Sequence, residues 1–282
     1  LAGMNMFDAV THAMTTLATG GYSTRTASIG AFDSGTIELI IIFGMIVGSL
    51  PFAHYLALTR GGWRSLMNDP QVRLFLILVA GLVILLSWHL TQTGQGFGNA
   101  FRQSSFNAVS IMTGTGYVSA NYSAWGGFAS TVLLMTMFIG GCGGSTTCGI
   151  KVFRLQVLAA TARVQISRLL RPHAVVLAYY NRRPVIPEVM DSVMGFFYLY
   201  ILGFVVIAIL LGMMGLDFVT ALSGAATSIS NVGPGLGVVI GADGNFSSLP
   251  DSAKWVMSFG MLLGRLEIFT VLVMLSPAFW QR

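Results

Sequence analysis

The sequence has few charged residues and almost no cysteine. Only 9% of its 282 residues are charged, whereas 54% are hydrophobic. This composition excludes an ordinary soluble globular domain and predicts a chain that crosses a membrane several times. The two cysteines, Cys142 and Cys148, are too few for a disulfide framework and lack the paired spacing of a zinc site. We interpret both as small packing residues. The histidines His12, His54 and His89 have no metal-ligand spacing either.

Motifs for catalysis and for phosphate binding are also missing. The sequence has no His-Glu metal motif, no paired aspartates within its apolar segments, and no serine or cysteine with a credible base, so it predicts no enzyme. The string "GGCGGSTTCG" at 140–149 places Gly144 and Gly149 at the spacing of a phosphate-binding loop. Ile150 stands where that loop requires lysine, which excludes the phosphate-binding interpretation.

Basic residues are concentrated in two segments of the chain. Ten of the fifteen lysines and arginines lie in residues 60–73 and 151–183. Cytoplasmic loops of membrane proteins accumulate such residues, so we expect both segments to be cytoplasmic and to contact lipid headgroups. The net charge of +5 therefore gives no argument for nucleic acid as a partner. The ten residues are Arg60, Arg64, Arg73, Lys151, Arg154, Arg163, Arg168, Arg171, Arg182 and Arg183.

Apolar segments long enough to cross a membrane recur along the chain. A hydrocarbon core of about 30 Å requires roughly 20 residues of helix. The candidate segments are 37–58, 73–90, 127–140, 193–214 and 254–279. The third is short and runs directly into the glycine-rich string before a basic amphipathic stretch. This pattern predicts one long helix that is interrupted by glycines.

Three shorter semi-apolar stretches, 5–17, 98–112 and 215–228, resemble one another. Each is rich in Ala, Ser, Thr and Met and leads into a glycine loop: "TLATGGYST", "SIMTGTGYVS" and "SISNVGPGLG". Gly21, Gly116 and Gly233 fall at matching places in these loops. A further polar loop and a full-length apolar segment follow each one. Repetition on this scale indicates internal symmetry.

The glycine loops have a physical explanation at membrane depth. Irregular backbone is tolerated there only where it is buried in protein or lines a water-filled cavity. Several loops around one axis can direct carbonyl oxygens inward and replace the hydration shell of a cation, and glycine permits the backbone angles that this needs. A single loop of this composition is typical of an extracellular turn. Three in register favour a selectivity filter.

These residues resemble the Trk, Ktr and HKT superfamily of potassium transporters, most closely the bacterial Trk-type membrane subunit. The three loops carry the resemblance together with "IGGCGGSTTCGIKVFR" at 139–154 and "LLGRLEIFTVLVMLSPAFW" at 262–280. The resemblance implies an all-α membrane protein. Its fused repeats of helix, re-entrant pore helix, filter loop and helix surround a central pore, as in a potassium channel.

The resemblance also assigns the repeats and the filter. Residues 1–59 correspond to a partial repeat, 60–189 to a complete repeat with an interrupted inner helix, and 190–282 to the last repeat. The resemblance implies four repeats, and the first of them is absent from this sequence. We therefore expect the biological chain to extend upstream by more than about one hundred residues, the scale of one repeat. The implied filter residues are Thr19, Gly20, Gly21, Gly114, Thr115, Gly116, Asn231, Val232 and Gly233.

A gate beneath the filter is the next implication. The glycine-rich string would block the permeation path until it moves, with Arg265 beside it as an electrostatic barrier. The alternatives are a flexible helix break and, for Arg265, a structural ion pair with another helix. Glu267 is a poor intrahelical partner because it faces another side of the helix. The implied gate residues besides Arg265 are Gly140, Gly141, Gly143, Gly144, Ser145, Thr146, Thr147 and Gly149.

The expected function is potassium uptake across a bacterial cytoplasmic (inner) membrane. Potassium would be the cargo, with no covalently bound cofactor. The resemblance further implies a homodimer and a cytosolic nucleotide-binding regulatory subunit at the basic face. A secondary transporter with broken helices and a midplane site is the alternative. It predicts inverted repeats, whereas the three glycine loops run in the same order relative to their apolar segments.

Overall fold

The structure, a computed structural model, describes residues 2–59, 61–181, 183–266 and 268–281. These residues are predominantly helical, with one antiparallel hairpin that pairs β1 (Tyr179–Tyr180) with β2 (Arg183–Pro184). The α-helices, in chain order, are α1 (Met6–Leu17), α2 (Gly35–Gly48), α3 (Phe52–Leu58), α4 (Trp63–Asn68), α5 (Pro70–Gln92), α6 (Phe97–Met112), α7 (Gly127–Met137), α8 (Val152–Leu170), α9 (Pro187–Met213), α10 (Phe218–Ser230), α11 (Asp251–Arg265), α12 (Ile268–Leu275) and α13 (Pro277–Trp280). Short 3₁₀ helices cover Ser28–Phe32, Tyr122–Trp125 and Phe246–Ser248.

Two of the predicted spans, 73–90 and 193–214, form single long helices. They are α5, with 23 residues, and α9, with 27, and both are long and apolar enough to cross a membrane. Each begins at a proline, which suits the first helical position because the missing N–H would have no partner there. At α5 the Asp69 carboxylate also accepts the N–H of Gln71 at 2.7 Å and caps the helix.

Two other predicted spans, 37–58 and 254–279, are not straight helices. The axis bends by 97° between α2 and α3, and by 109° between α11 and α12. Pro51 lies at the first bend, where it cannot donate to the helical ladder. The second bend follows Arg265. Apolar length predicted both segments but could not reveal the bends, because hydropathy does not report the direction of a helix.

The predicted interruption of the span after 127 is present. Helix α7 ends at Met137 and α8 begins at Val152, with the glycine-rich string between them. The two ends of the string approach each other, because Ile139 and Ile150 form an isolated parallel bridge. The string is therefore a closed loop rather than an extended linker.

The three short helices predicted before the glycine loops are α1, α6 and α10. Helix α10 is apolar and buried along most of its length, and its buried residues include Ser223, Thr227 and Ser228. The hydroxyls of Ser223 and Ser228 donate to carbonyls of their own helix, at 2.7 and 3.0 Å. With its hydroxyls bonded in this way, α10 packs between α9 and α11.

The carboxylate of Asp217 caps α10 by accepting the N–H of Thr220 at 3.1 Å. Hydrogen bonds from Thr220 hold the pKa of Asp217 below its ordinary value. Replacing Asp217 by alanine should therefore lower the free energy of unfolding by about 1 kcal/mol at neutral pH. A lowered pKa means that this contribution is present above the unfolded-state pKa, about 3.9, and is lost as the pH falls through the folded-state pKa.

Thermal unfolding of the wild type and of Asp217→Ala at pH 7 and pH 3 measures the pH dependence of the stability that Asp217 contributes. We expect a Tm difference that narrows at the lower pH. Asp251→Ala is the matched control, because Asp251 lies in the first turn of α11 and pairs with Lys254 rather than capping the helix. A difference that is the same at both pH values would contradict the prediction.

A hydrogen-bonded cluster connects α3, α4 and the start of α5. Ser65 Oγ lies 3.3 Å from His54 Nδ1, and His54 Nε2 lies 2.8 Å from Asp69, which also caps α5. These contacts stabilise the connection between the three helices.

Candidate functional site

The three glycine loops share one backbone conformation. In each, the first and third of the predicted filter residues have positive φ, whereas the middle residue does not. Alternation of this kind turns successive carbonyls toward one side of the chain. Glycine suits such positions because it has no β-carbon. The φ values are +49° for Thr19, +66° for Gly21, +66° for Gly114, +80° for Gly116, +54° for Asn231 and +108° for Gly233.

The loops are also joined to their helices by the same hydrogen bond. In each repeat the N–H of the middle filter residue donates to the carbonyl five residues earlier. The pairs are Gly20 to Thr15 at 2.8 Å, Thr115 to Ser110 at 3.0 Å and Val232 to Thr227 at 3.0 Å. Sequence analysis did not single out Thr15, Ser110 or Thr227. Their signal was a hydroxyl residue at a constant distance from the glycine loop.

The filter carbonyls themselves are unpaired within the part of the chain that the structure describes. None of the nine carbonyls, from Thr19 to Gly21, from Gly114 to Gly116 and from Asn231 to Gly233, accepts a hydrogen bond from a described residue. Thr19, Thr115 and Val232 are buried, five of the other residues are half-buried, and Gly20 is exposed. The nine oxygens are therefore not used by the described part of the chain and are available to water or to an ion.

Glycine contacts place the loops side by side. A β-carbon built on Gly21 would lie 1.8 Å from the Thr115 carbonyl oxygen, and one on Gly116 would lie 1.9 Å from the Val232 oxygen. The carbonyl of the middle filter residue of one loop thus packs directly against the third filter residue, a glycine, of the preceding loop. Loop one meets loop two, and loop two meets loop three, in chain order.

All three loops line one cavity of about 760 Å³. Eight of the nine predicted filter residues border it, and Gly114 does not. The Cβ position of Gly114 lies instead 3.7 Å from the Asn231 carbonyl oxygen of the third loop. Arg265 also borders this cavity. The geometry therefore brings the filter residues and the predicted barrier residue to one space.

Side chains above the loops join neighbouring repeats. The hydroxyl of Tyr117, directly after the second loop, hydrogen-bonds the Thr15 side chain in α1 and lies 3.3 Å from the His12 carbonyl. Tyr122 donates to the Gly235 carbonyl at 3.1 Å. Each aromatic side chain thus fixes the second loop to a different neighbour, which limits how far the three loops can separate.

Beneath the filter, the gate loop, which we define as residues 139–150, closes on itself. The N–H of Gly140 donates to the Ile150 carbonyl at 2.9 Å, and the N–H of Gly141 to the Thr147 hydroxyl at 3.0 Å. A β-carbon on Gly140 would lie 1.9 Å from the Cys148 oxygen. Close backbone approach explains these glycines. Gly144 and Gly149 are required for another reason, since their φ values are +77° and +72°.

The gate loop is anchored at the bend between α2 and α3. A helix end leaves carbonyls without intrahelical partners, and the loop supplies donors for them. Cys142 N–H donates to the Ser49 carbonyl at 3.0 Å, and Thr146 N–H to the Gly48 carbonyl at 3.3 Å. Phe52 N–H donates in return to the Gly144 carbonyl at 3.0 Å.

Other elements hold the remaining gate residues. The N–H of Gly143 donates to Gln71 Oε1 in α5 at 2.8 Å. The Ser145 hydroxyl lies 2.6 Å from the Cys142 carbonyl and 2.8 Å from the Thr147 hydroxyl, so it stays within the loop. Hydrogen bonds to the α2–α3 bend and to α5 therefore position the gate loop, and bonds within the loop maintain its shape.

Thr146 connects the gate loop to the filter. Its hydroxyl lies 3.1 Å from the Leu17 carbonyl, at the end of α1, and 3.0 Å from the Gly48 carbonyl. Leu17 precedes the filter residue Thr19 by two positions. Displacement of the gate loop consequently breaks a contact at the base of the first filter loop.

Arg265 lies at the end of α11 and contacts the gate loop. Its Nη1 donates to the Thr146 carbonyl at 3.1 Å and lies 2.9 Å from Cys148 Sγ. Within the described residues, Arg265 is held by these loop atoms and forms no ion pair. The alternative of a structural pair with another helix thus has no support there, and Glu267 lies outside the described residues.

A second cavity, of about 240 Å³, lies against the gate loop and is bordered by Arg265, Lys151 and Arg154. The guanidinium of Arg154 stacks over the Phe196 ring at 3.9 Å. Three basic side chains therefore border the space beside the gate loop.

Comparison with known proteins defines the class. The crystal structure of the potassium transporter TrkH from Vibrio parahaemolyticus matches with a TM-score of 0.92 and 38% identity, over 99% of this chain and 60% of that one. The chain thus shares the helical membrane fold of that transporter. A family model described as "TrkH: Cation transport protein" matches residues 1–282. The chain belongs to the TrkH family of cation transport proteins.

Two curated relatives carry the names of Trk system potassium uptake proteins. The Trk system potassium uptake protein TrkI of Halomonas elongata is 44% identical over 284 residues, which is 100% of this chain and 58% of the relative. The Trk system potassium uptake protein TrkH of Escherichia coli K12 is 38% identical over 288 residues, which is 99% of this chain and 58% of the relative. The chain thus spans less than two thirds of the length of these proteins.

Proposed function

We propose that this chain forms three of the repeats around a pore through which potassium enters a bacterial cell across the cytoplasmic membrane. The nine filter carbonyls select the ion, and the gate loop with Arg265 controls its passage. The observation that carries the proposal is the set of nine unpaired carbonyls in three loops of matching conformation. The relatives named potassium uptake proteins support potassium as the cargo.

The carbonyl set suits a monovalent cation. Backbone oxygens replace part of the hydration shell without adding formal charge, so a potassium ion can enter and leave quickly. No carboxylate borders the filter cavity among its described lining residues. A carboxylate-rich site would instead favour divalent ions.

The alternative, a secondary transporter with broken helices, is less well supported. That architecture commonly relates its repeats by inversion. Here the third residue of loop one meets the middle carbonyl of loop two, and the third residue of loop two meets that of loop three, so consecutive loops follow one another around a single cavity. We therefore propose parallel repeats at 1–59, 60–189 and 190–282.

Regulation and assembly follow from the same proposal. The gate loop blocks the path in the described conformation, and a signal from the cytoplasmic side releases it. We propose a homodimer that binds a cytosolic nucleotide-binding subunit at the face bearing the basic residues of 151–183. Arg163, Arg168 and Arg171 are exposed in this segment and available to a partner or to lipid headgroups.

Ion uptake into proteoliposomes containing the full-length parent protein, with the upstream repeat expected above, tests the proposal. We expect potassium uptake to exceed sodium uptake when the two ions are compared at equal concentration and membrane potential. Empty liposomes are the control. Absence of cation uptake, or equal uptake of both ions, would contradict the proposed filter.

A further inference from the structure

We infer that Thr15, Ser110 and Thr227 are positioning residues whose hydroxyls hold the filter at the spacing that prefers potassium over sodium. The inference rests on the proposed function. It concerns residues outside the nine that supply filter carbonyls. Each of the three occupies the same place in its repeat, five residues before the middle filter residue.

Each hydroxyl residue holds its filter loop at two points. Its main-chain carbonyl accepts the N–H of the middle filter residue, as described above. Its side chain reaches past the filter to the other end of the loop. Ser110 Oγ donates to the Tyr117 carbonyl at 2.7 Å, and Thr15 Oγ1 lies 3.0 Å from the Tyr22 carbonyl.

In the third repeat the side chain bonds the third filter residue itself, and it accepts rather than donates. Thr227 Oγ1 accepts the N–H of Gly233 at 2.9 Å. The residue that corresponds to Tyr22 and Tyr117 is here Pro234. A hydroxyl can donate or accept, so the same kind of side chain makes the contact in all three loops although the neighbouring residues differ.

Ordinary helix packing does not explain the contacts of Ser110 and Thr227, whereas Thr15 Oγ1 also lies 3.0 Å from the Thr11 carbonyl, four residues earlier. A serine or threonine within a helix commonly donates to the carbonyl four residues earlier. The hydroxyls of Ser110 and Thr227 bond forward, across the loop, and both residues are fully buried. The filter carbonyls between the two anchoring points stay unpaired, so the contacts fix the loop without using its ion ligands.

Holding the loops apart is what a potassium preference requires. Sodium is smaller, so a filter that can contract gains more favourable contacts with sodium. The anchors oppose this contraction because each ties its loop to a rigid helix at two points, which lie at the two ends of the filter for Thr15 and Ser110 and at Val232 and Gly233 for Thr227. Loss of one hydroxyl should therefore lower selectivity more than it lowers total conduction.

The test uses Ser110→Ala and Thr227→Val, which remove the hydroxyl at little change in volume. Thr227→Ser retains it. Thr131→Val is the control, because Thr131 Oγ1 makes an ordinary bond to the Gly127 carbonyl within α7. The measured quantity is the ratio of potassium to sodium uptake into proteoliposomes with the full-length parent protein. We expect this ratio to fall about threefold to tenfold in the first two variants, the range for one lost hydrogen bond, and to stay unchanged in the other two.

The outcomes separate the inference from the proposed function. If the wild type prefers potassium and both test variants keep its ratio, the inference is wrong while the proposed function stands. A variant that loses uptake of both ions equally would also overturn it, since that result describes structural damage. A wild type without preference contradicts the proposed function itself, and the inference with it. For a variant that does not reconstitute, the difference between potassium- and sodium-dependent Tm shifts in detergent takes the place of the uptake ratio.

Discussion

Replacing Gly116 by alanine should remove the potassium preference. The added methyl group would lie 1.9 Å from the Val232 carbonyl oxygen and 2.9 Å from Pro234 Cδ. The third loop must move away, which displaces an ion ligand. Contacts between a charged group and a hydrogen-bonding ligand are worth about 1.5 to 3 kcal/mol, so we expect the potassium-to-sodium uptake ratio to fall by about tenfold or more.

Gly94→Ala separates this steric effect from backbone strain. Gly94 also has a positive φ, +91°, but no atom lies within 4 Å of its β-carbon position. Alanine there carries only the cost of a left-handed backbone, roughly 1 to 2 kcal/mol. We expect Gly94→Ala to lower Tm and to leave the uptake ratio unchanged. Equal ratios in Gly116→Ala and the wild type would mean that the contact between loops two and three does not position the filter.

Removing the charge of Arg265 should increase potassium uptake. At an effective dielectric constant of about 20, two unit charges about 8 Å apart repel each other by roughly 2 kcal/mol. A barrier lowered by that amount corresponds to a rate increase of about thirtyfold. Arg265 also bonds the gate loop through Thr146 and Cys148, so Arg265→Ala changes both the field and the anchoring of the loop.

Two further variants distinguish the charge from the anchor. Arg265→Lys keeps the positive charge and should retain wild-type uptake. Arg265→Gln removes the charge but can still donate to the Thr146 carbonyl, and we expect most of the increase in this variant. Initial rates of potassium uptake at two ionic strengths provide the measurement, because an electrostatic barrier weakens as salt increases. Unchanged uptake in both Ala and Gln variants would assign Arg265 a structural role.

Sequence patterns predicted the elements that follow from periodicity and composition. The short helices α1, α6 and α10 directly precede the loops "TGG", "GTG" and "NVG", as predicted. The predicted interruption of the helix after Met137 is also present. Spacing also predicted that the three loops match. Repetition made these predictions possible, since a feature seen three times is distinguishable from an ordinary turn.

Other features depend on contacts between distant residues. The hydroxyls of Thr15, Ser110 and Thr227 were not recognised, because serine and threonine are frequent throughout these helices and only the folded loops show which ones bond forward. The bend at Pro51 lies within an uninterrupted apolar run. Arg265 was expected near the gate, but its contact with the Thr146 carbonyl joins residues 119 positions apart and has no signal in either segment.

For the gate proposed above, the anchoring of the loop limits how often a molecule opens without help. At least four hydrogen bonds of the loop backbone hold it to its neighbours: two to the Gly48 and Ser49 carbonyls, one from Phe52 and one to Gln71. At about 1 kcal/mol each, releasing these four costs roughly 4 kcal/mol, so at most about one molecule in a thousand would be open at rest. A regulator that opens half of the molecules must favour the released loop by the same roughly 4 kcal/mol, which is a thousandfold difference in its affinity for the two conformations.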